Sequence, residues 1–152
     1  MVFQKSIIHL IIFLFSISGS LSLAEDYSDS DITKVVMLGS GNPFPDPERS
    51  GPSVAIIVND VPYLFDAGAG VWQATGAATP KYGGTVKALE SGNISKVFVT
   101  HLHSDHVVGL PSLILLPWAL GREAPLEVWG PPGTENMVKH LTEAYREDVG
   151  SR

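Results

Sequence analysis

The chain has 152 residues, no cysteine, 44% hydrophobic residues and a net charge of −6. That length and composition suit one ordinary folded domain, and they exclude a disordered chain, a disulfide scaffold and any thiolate acting as nucleophile or metal ligand. Ten Lys and Arg scattered against sixteen Asp and Glu also make a nucleic-acid partner unlikely on charge alone, because phosphate backbones are held by clustered cations.

The first 24 residues, "MVFQKSIIHLIIFLFSISGSLSLA", have a basic start at Lys5, an apolar run from Ile7 to about Ile17, and small residues Ser22 and Ala24 before Glu25. This is the layout of a secretory signal peptide cleaved after Ala24. The run is too short for a permanent transmembrane helix, so the expected product is secreted or periplasmic and has no stable membrane span; a retained N-terminal anchor is the alternative. Residues 25–31, "EDYSDSD", form a polar leader, and the domain is expected from 32 to 152.

In chain order, "ITKVVMLG" at 32–39 reads as a first strand entering a Gly/Pro-rich loop, "SGNPFPDPERSGPS". "SVAIIVND" and "VPYLFDAG" follow as two strands meeting in a hairpin turn at Asn59 and Asp60. Residues 70–84 are weakly patterned and are assigned to a loop with at most a helical turn. "TVKALES" suggests a short helix ended by Gly92, and "SKVFVT" a strand whose unbroken apolar run predicts burial on both faces. "VVGLPSLILLPWALG" is a helical stretch interrupted by Pro111 and Pro117, and "PLEVWG" is a further strand. "PPGTENMVKHLTEAYRED" opens a helix with Thr134 as N-cap and Met137, Val138, Leu141, Ala144 and Tyr145 along one face. Strands first, then strand and helix in alternation, predict an α/β layered domain. About three helical segments do not cover both faces of such a sheet, so the sequence reads as the front part of a larger, truncated domain.

Three of the five histidines fall in "THLHSDH", between the strand at 96–100 and the helix that follows. His101 and His103, two apart in an extended segment, point to one side and can reach one ion. Asp105 and His106 turn with the start of the helix and can face a second ion. Imidazole and carboxylate suit Zn²⁺, whereas calcium or magnesium would recruit oxygen.

These residues resemble the signature of the metallo-β-lactamase fold superfamily. "LGSGNPFPDPERSGPSVAI", "LFDAGAG" and "PLEVWGPPGTENMVKHLTEAYRED" resemble segments of its ribonuclease Z and arylsulfatase-like branch, so the likeness runs from about Val35 to the end. It implies an αββα sandwich with two zinc ions in the complete protein: His101 and His103 on the first, Asp105 and His106 on the second, and Asp105 also as a general base. Asp66, ending "YLFD", is implied as an outer residue that orients the ligand histidines. Histidine at 103, where di-iron flavoprotein members have glutamate, points to hydrolysis and away from redox work. The family's later ligands, a third histidine for the first metal, a bridging aspartate and a last histidine, have no counterpart in this sequence, so only half a site is expected.

Duller readings stand beside these. His140 lies on the flank of an amphipathic helix and reads as a surface residue, and His9 belongs to the signal segment. The Gly/Pro-rich loop lacks phosphate-loop spacing and is better read as a turn walling the metal cleft. Trp72, Trp118 and Trp129 read as packing residues, with Trp118 also placed to line the cleft. The expected activity is hydrolysis of an ester-type bond, phosphodiester or sulfate ester, by metal-bound hydroxide acting on a small-molecule substrate. The alternatives are a lactonase or β-lactamase of the same fold, and an inactive metal-binding remnant. A homo-oligomer is open on this composition.

Overall fold

A computed structural model describes residues 32–151. The signal segment with His9, and the polar leader, lie outside the described residues. Among the described residues no helix is long and apolar enough to cross a membrane.

Five strands form one sheet in sequence order: β1 (Lys34–Gly39), β2 (Ser53–Val58), β3 (Val61–Phe65), β4 (Lys96–Phe98) and β5 (Glu127–Trp129). β1, β2 and β3 pair antiparallel, while β4 and β5 add in parallel. The β2–β3 turn places Asn59 and Asp60 at φ 50° and 59°, the left-handed pair that a two-residue hairpin of this twist demands. The described residues also hold five α-helices, α1 (Val71–Ala78), α2 (Ser104–Val107), α3 (Leu110–Ala119), α4 (Thr134–Ala144) and α5 (Arg146–Gly150). α1 connects β3 to β4, and α2 with α3 connects β4 to β5. Parallel strands require such crossovers, and their C-terminal ends are therefore gathered on one edge.

The register assigns one face of the sheet to the core. Ala55, Leu64 and Val97 lie in one cross-strand row and are fully buried. They join Val71 of α1, Leu110 and Leu113 of α3 and, at the margin, Met137, Val138 and Leu141 of α4 in one apolar cluster. Each fully buried Leu or Val contributes about 1.5–3 kcal/mol relative to exposure, so this face anchors both crossovers. The opposite face carries an aromatic ladder. Phe98 stacks on Phe65 at 5.2 Å and on Trp129 at 4.8 Å, while Val35 and Met37 beside it are 67% and 64% exposed. The described residues thus build one helical layer and one sheet of the expected sandwich.

Several local expectations need correction. Residues 70–84 hold a full two-turn helix, α1, and a 3₁₀ turn at Pro80–Tyr82. The helix was hidden because its eight residues include Gly76 and a Thr75 whose hydroxyl bonds back to the Trp72 carbonyl at 2.7 Å, which leaves little apolar periodicity to read. "TVKALES" forms two 3₁₀ turns, Lys87–Leu89 and Ser91–Asn93, instead of a helix. β4 is buried on one face only, through Val97, and Phe98 on the other is half-covered by the aromatic ladder. Thr134 is the first helical residue, not the cap. Gly133 precedes it at φ 105° in the cap position, no side chain caps the helix, and the Thr134 hydroxyl instead donates to the Pro131 carbonyl at 2.8 Å.

The expected interruptions do not occur: Pro111 stands in the first turn of α3, Pro117 lies inside a helix that runs on to Ala119, and the donor that Pro117 withholds is supplied by a residue that sequence reading passed over. A proline at 117 offers no N–H to the Leu113 carbonyl one turn earlier. Arg122, 5% exposed, supplies that donor: Nη1 reaches Leu113 O at 2.7 Å and Ile94 O at 3.3 Å, Nη2 reaches Ile114 O at 2.8 Å, and Nε reaches Ala124 O at 3.0 Å. Desolvation in this setting holds the guanidinium below its usual pKa. One buried side chain thereby closes the C-terminal end of α3 and ties it to the segment entering β4.

Candidate metal centre

The cluster stands where β4 ends and α2 begins. Leaving the sheet, the chain stays extended through His103, and α2 starts at Ser104, so His101 and His103 precede the helix while Asp105 and His106 lie in its first turn. Their rings gather at one place: His101 and His103 are 4.6 Å apart edge-on, and His101 and His106 are 4.1 Å apart. His106 Nε2 faces Asp105 Oδ2 at 3.7 Å.

Behind the rings lies Asp66, the residue after β3. Its φ is +61°, a left-handed backbone that costs roughly 1–3 kcal/mol in a non-glycine residue and is tolerated best by Asp and Asn. The turn aims its carboxylate, 7% exposed, across to the end of β4. There Oδ1 accepts from the Thr100 amide at 2.8 Å, Oδ2 accepts from His106 Nδ1 at 2.8 Å, and the Thr100 hydroxyl lies 2.9–3.0 Å from both oxygens. The same hydroxyl lies 3.0 Å from His101 Nδ1. Asp66 therefore bonds His106 directly and reaches His101 through Thr100, the residue immediately before the first histidine, which sequence reading left without a role.

Backbone contacts lock the two segments together. The Ala67 amide donates to the His106 carbonyl at 2.7 Å, and the Gly109 amide returns to the Ala67 carbonyl at 2.8 Å. A Cβ on Gly68 would lie 2.4 Å from the Gly51 carbonyl carbon and 2.7 Å from the Asp105 carbonyl oxygen, so only glycine lets the three chains meet.

A cleft of about 610 Å³ opens beside the cluster. The Gly/Pro-rich loop walls it, with Phe44, Asp46 and Arg49 on one side and Gln73, Ser104 and Asp105 on the other. The loop is held by Arg49 Nε to Asp46 Oδ2 at 3.1 Å and by the Gly41 amide to the Ser50 carbonyl at 2.8 Å. Asp105 is the one member of the cluster on this wall; the three imidazoles are not part of it. Trp118 lines a separate hollow with Arg122 and Val138, so it is no wall of the cleft. His140 is exposed on α4.

The donor chemistry fits a borderline divalent cation. With Asp66 and Thr100 against the Nδ1 atoms of His106 and His101, the Nε2 atoms are left to face a ligand, and Asp105 adds a carboxylate. Among the described residues, however, no three His, Asp or Glu side chains converge as a set that could hold an ion. The cluster supplies ligand types in place without enclosing a metal.

Residues 33–126 match the family described as Anti-Pycsar protein Apyc1. The chain belongs to that family. Over 122 residues it is 35% identical to ribonuclease Z of Mycobacterium marinum and 38% identical to ribonuclease Z of Mycolicibacterium paratuberculosis, covering 78% of this chain in each case. It spans only 40% of the length of these relatives. Among solved structures, human tRNase Z, short form, superposes with a TM-score of 0.63 at 30% identity over 74% of this chain and 40% of that one. The metallo-β-lactamase fold protein YhfI from Bacillus subtilis superposes with a TM-score of 0.55 at 21% identity over 72% of this chain and 42% of that one, a likeness of fold alone. This Apyc1-family chain thus has a metallo-β-lactamase fold and is ribonuclease Z-like over the part of its relatives that it spans.

Proposed function

We propose that the protein is a zinc-dependent hydrolase of phosphodiester bonds, with sulfate esters as a second substrate class. His101, His103, Asp105 and His106 are its metal ligands and Asp105 also handles protons. The observation that carries this reading is the pairing of Asp66 with His106 Nδ1 and of Thr100 with His101 Nδ1, which turns two Nε2 atoms outward beside a carboxylate. Bound there, zinc would lower the pKa of water towards about 7 and polarise the ester, which serves a chain without cysteine. Asp105 lines the cleft, and a substrate held there would meet the cluster through it. Further ligands would come from the portion of the relatives' length that this chain does not span.

The leading residues 1–24 support export, and with it a small-molecule ester as substrate. The relatives' name, ribonuclease Z, pulls the other way from the acidic composition, so RNA is the second substrate to test. The zinc-loaded full-length protein should turn over bis-p-nitrophenyl phosphate or an aryl sulfate, with precursor tRNA as a parallel arm, and Asp105→Asn should abolish the turnover. A folded, zinc-loaded protein inert towards all three would overturn the reading.

A further inference from the structure

We propose that Thr100 is a positioning residue: its hydroxyl relays the polarity of Asp66 to His101 and fixes that imidazole with its proton on Nδ1 and its lone pair on Nε2. The Thr100 Oγ1 atom lies 3.0 Å from Asp66 Oδ1, 2.9 Å from Asp66 Oδ2 and 3.0 Å from His101 Nδ1. A hydroxyl has one proton to give, and a carboxylate can only accept. If the proton went to His101, an oxygen lone pair would face the carboxylate at 2.9 Å, where both partners are acceptors. The proton therefore goes to Asp66, and Oγ1 is left to accept from His101, which requires hydrogen on Nδ1. The Thr100 amide, donating to Asp66 Oδ1 at 2.8 Å, holds the hydroxyl in register with the carboxylate.

His106 reaches the same state without a relay, since its Nδ1 lies 2.8 Å from Asp66 Oδ2. One carboxylate thus sets two rings, one directly and one through a hydroxyl. Neutral histidine in water carries its proton preferentially on Nε2, so at both rings the protein selects the less favoured form. The neighbouring hydrogen bond decides which nitrogen is free to bind. Serine can perform this relay. Valine, nearly identical in shape, cannot.

The consequence for metal binding rests on the zinc reading above, whereas the tautomer itself does not. The test is ¹⁵N NMR of histidine-labelled, metal-free full chain, at a pH well above the imidazole range. Wild-type His101 and His106 should both be protonated on Nδ1. In Thr100→Val, His101 should move to the Nε2-protonated form while His106 stays, and Thr100→Ser should keep both. Wild-type His101 protonated on Nε2, or a Thr100→Val spectrum with His101 unmoved, would overturn the relay, and the first of these needs no variant to fold. Zinc titrated into the same samples should bind about 10- to 100-fold more weakly to Thr100→Val than to wild type, with Thr100→Ser restoring it. Equal affinity in all three would remove the positioning role. If wild type bound no zinc at all, the metal reading would fall while the spectra still decided the relay.

Discussion

Asp66 Oδ2 stands 2.8 Å from His106 Nδ1, joining the end of β3 to the first turn of α2 across 40 residues of sequence. The bond depends on a left-handed backbone at Asp66, a conformation that Asn shares and Ala does not. Asp66→Asn should keep the fold yet weaken zinc binding by about 10- to 100-fold, as loss of an outer carboxylate does. Asp66→Ala should show the same loss with about 1–2 kcal/mol of added destabilisation from the backbone. Zinc titration paired with urea unfolding separates the two effects. Equal stability of the Asn and Ala variants would contradict the strained turn.

Gly68 makes a second, purely steric link between the same segments. Its missing Cβ leaves room for Gly51 on one side and the Asp105 carbonyl on the other. Gly68→Ala forces backbone to move, so we expect a loss of at least about 1–3 kcal/mol in urea unfolding. The displaced Asp105 should weaken zinc binding as well. A variant with wild-type stability would show that the segments are not in contact.

Arg122 and Pro117 form a coupled pair. Replacing Arg122 by Met strips the donor from the buried carbonyls of Leu113 and Ile94, and each buried carbonyl left unpaired costs about 1–3 kcal/mol. Pro117→Ala restores an N–H to α3, which can serve Leu113 in place of the guanidinium. Arg122→Met should therefore cost at least about 2 kcal/mol alone and measurably less in the Pro117→Ala background. Additive costs in the double-mutant cycle would refute the exchange of donors.

The parts of the fold visible in sequence were those with a local signal. The β2–β3 hairpin followed from two apolar runs meeting at Asn59 and Asp60, and the place of the histidine cluster between β4 and a helix from four ligand-type residues after a β-branched run. α1 was missed because a two-turn helix containing Gly76 has too little periodicity to declare itself, and its burial rests on tertiary contact through Val71 and Thr75. Thr134 looked like a cap because caps favour threonine; the left-handed Gly133 took that place. Arg122 and Thr100 escaped for a different reason. Their roles exist only between segments, one answering a proline five residues earlier and the other an aspartate 34 residues away, and no single stretch of sequence displays either pairing.

The most direct test of the metal site is calorimetric titration of Zn²⁺ into the purified chain and into the His101→Ala, His103→Ala and His140→Ala variants. Wild type and His140→Ala should bind zinc alike, because the ring contacts that form the cluster join His101, His103 and His106, whereas His140 is exposed on α4. His101→Ala and His103→Ala should each lose that binding while remaining folded. Zinc binding that survives both substitutions, or that disappears with His140→Ala, would contradict a metal centre at the end of β4.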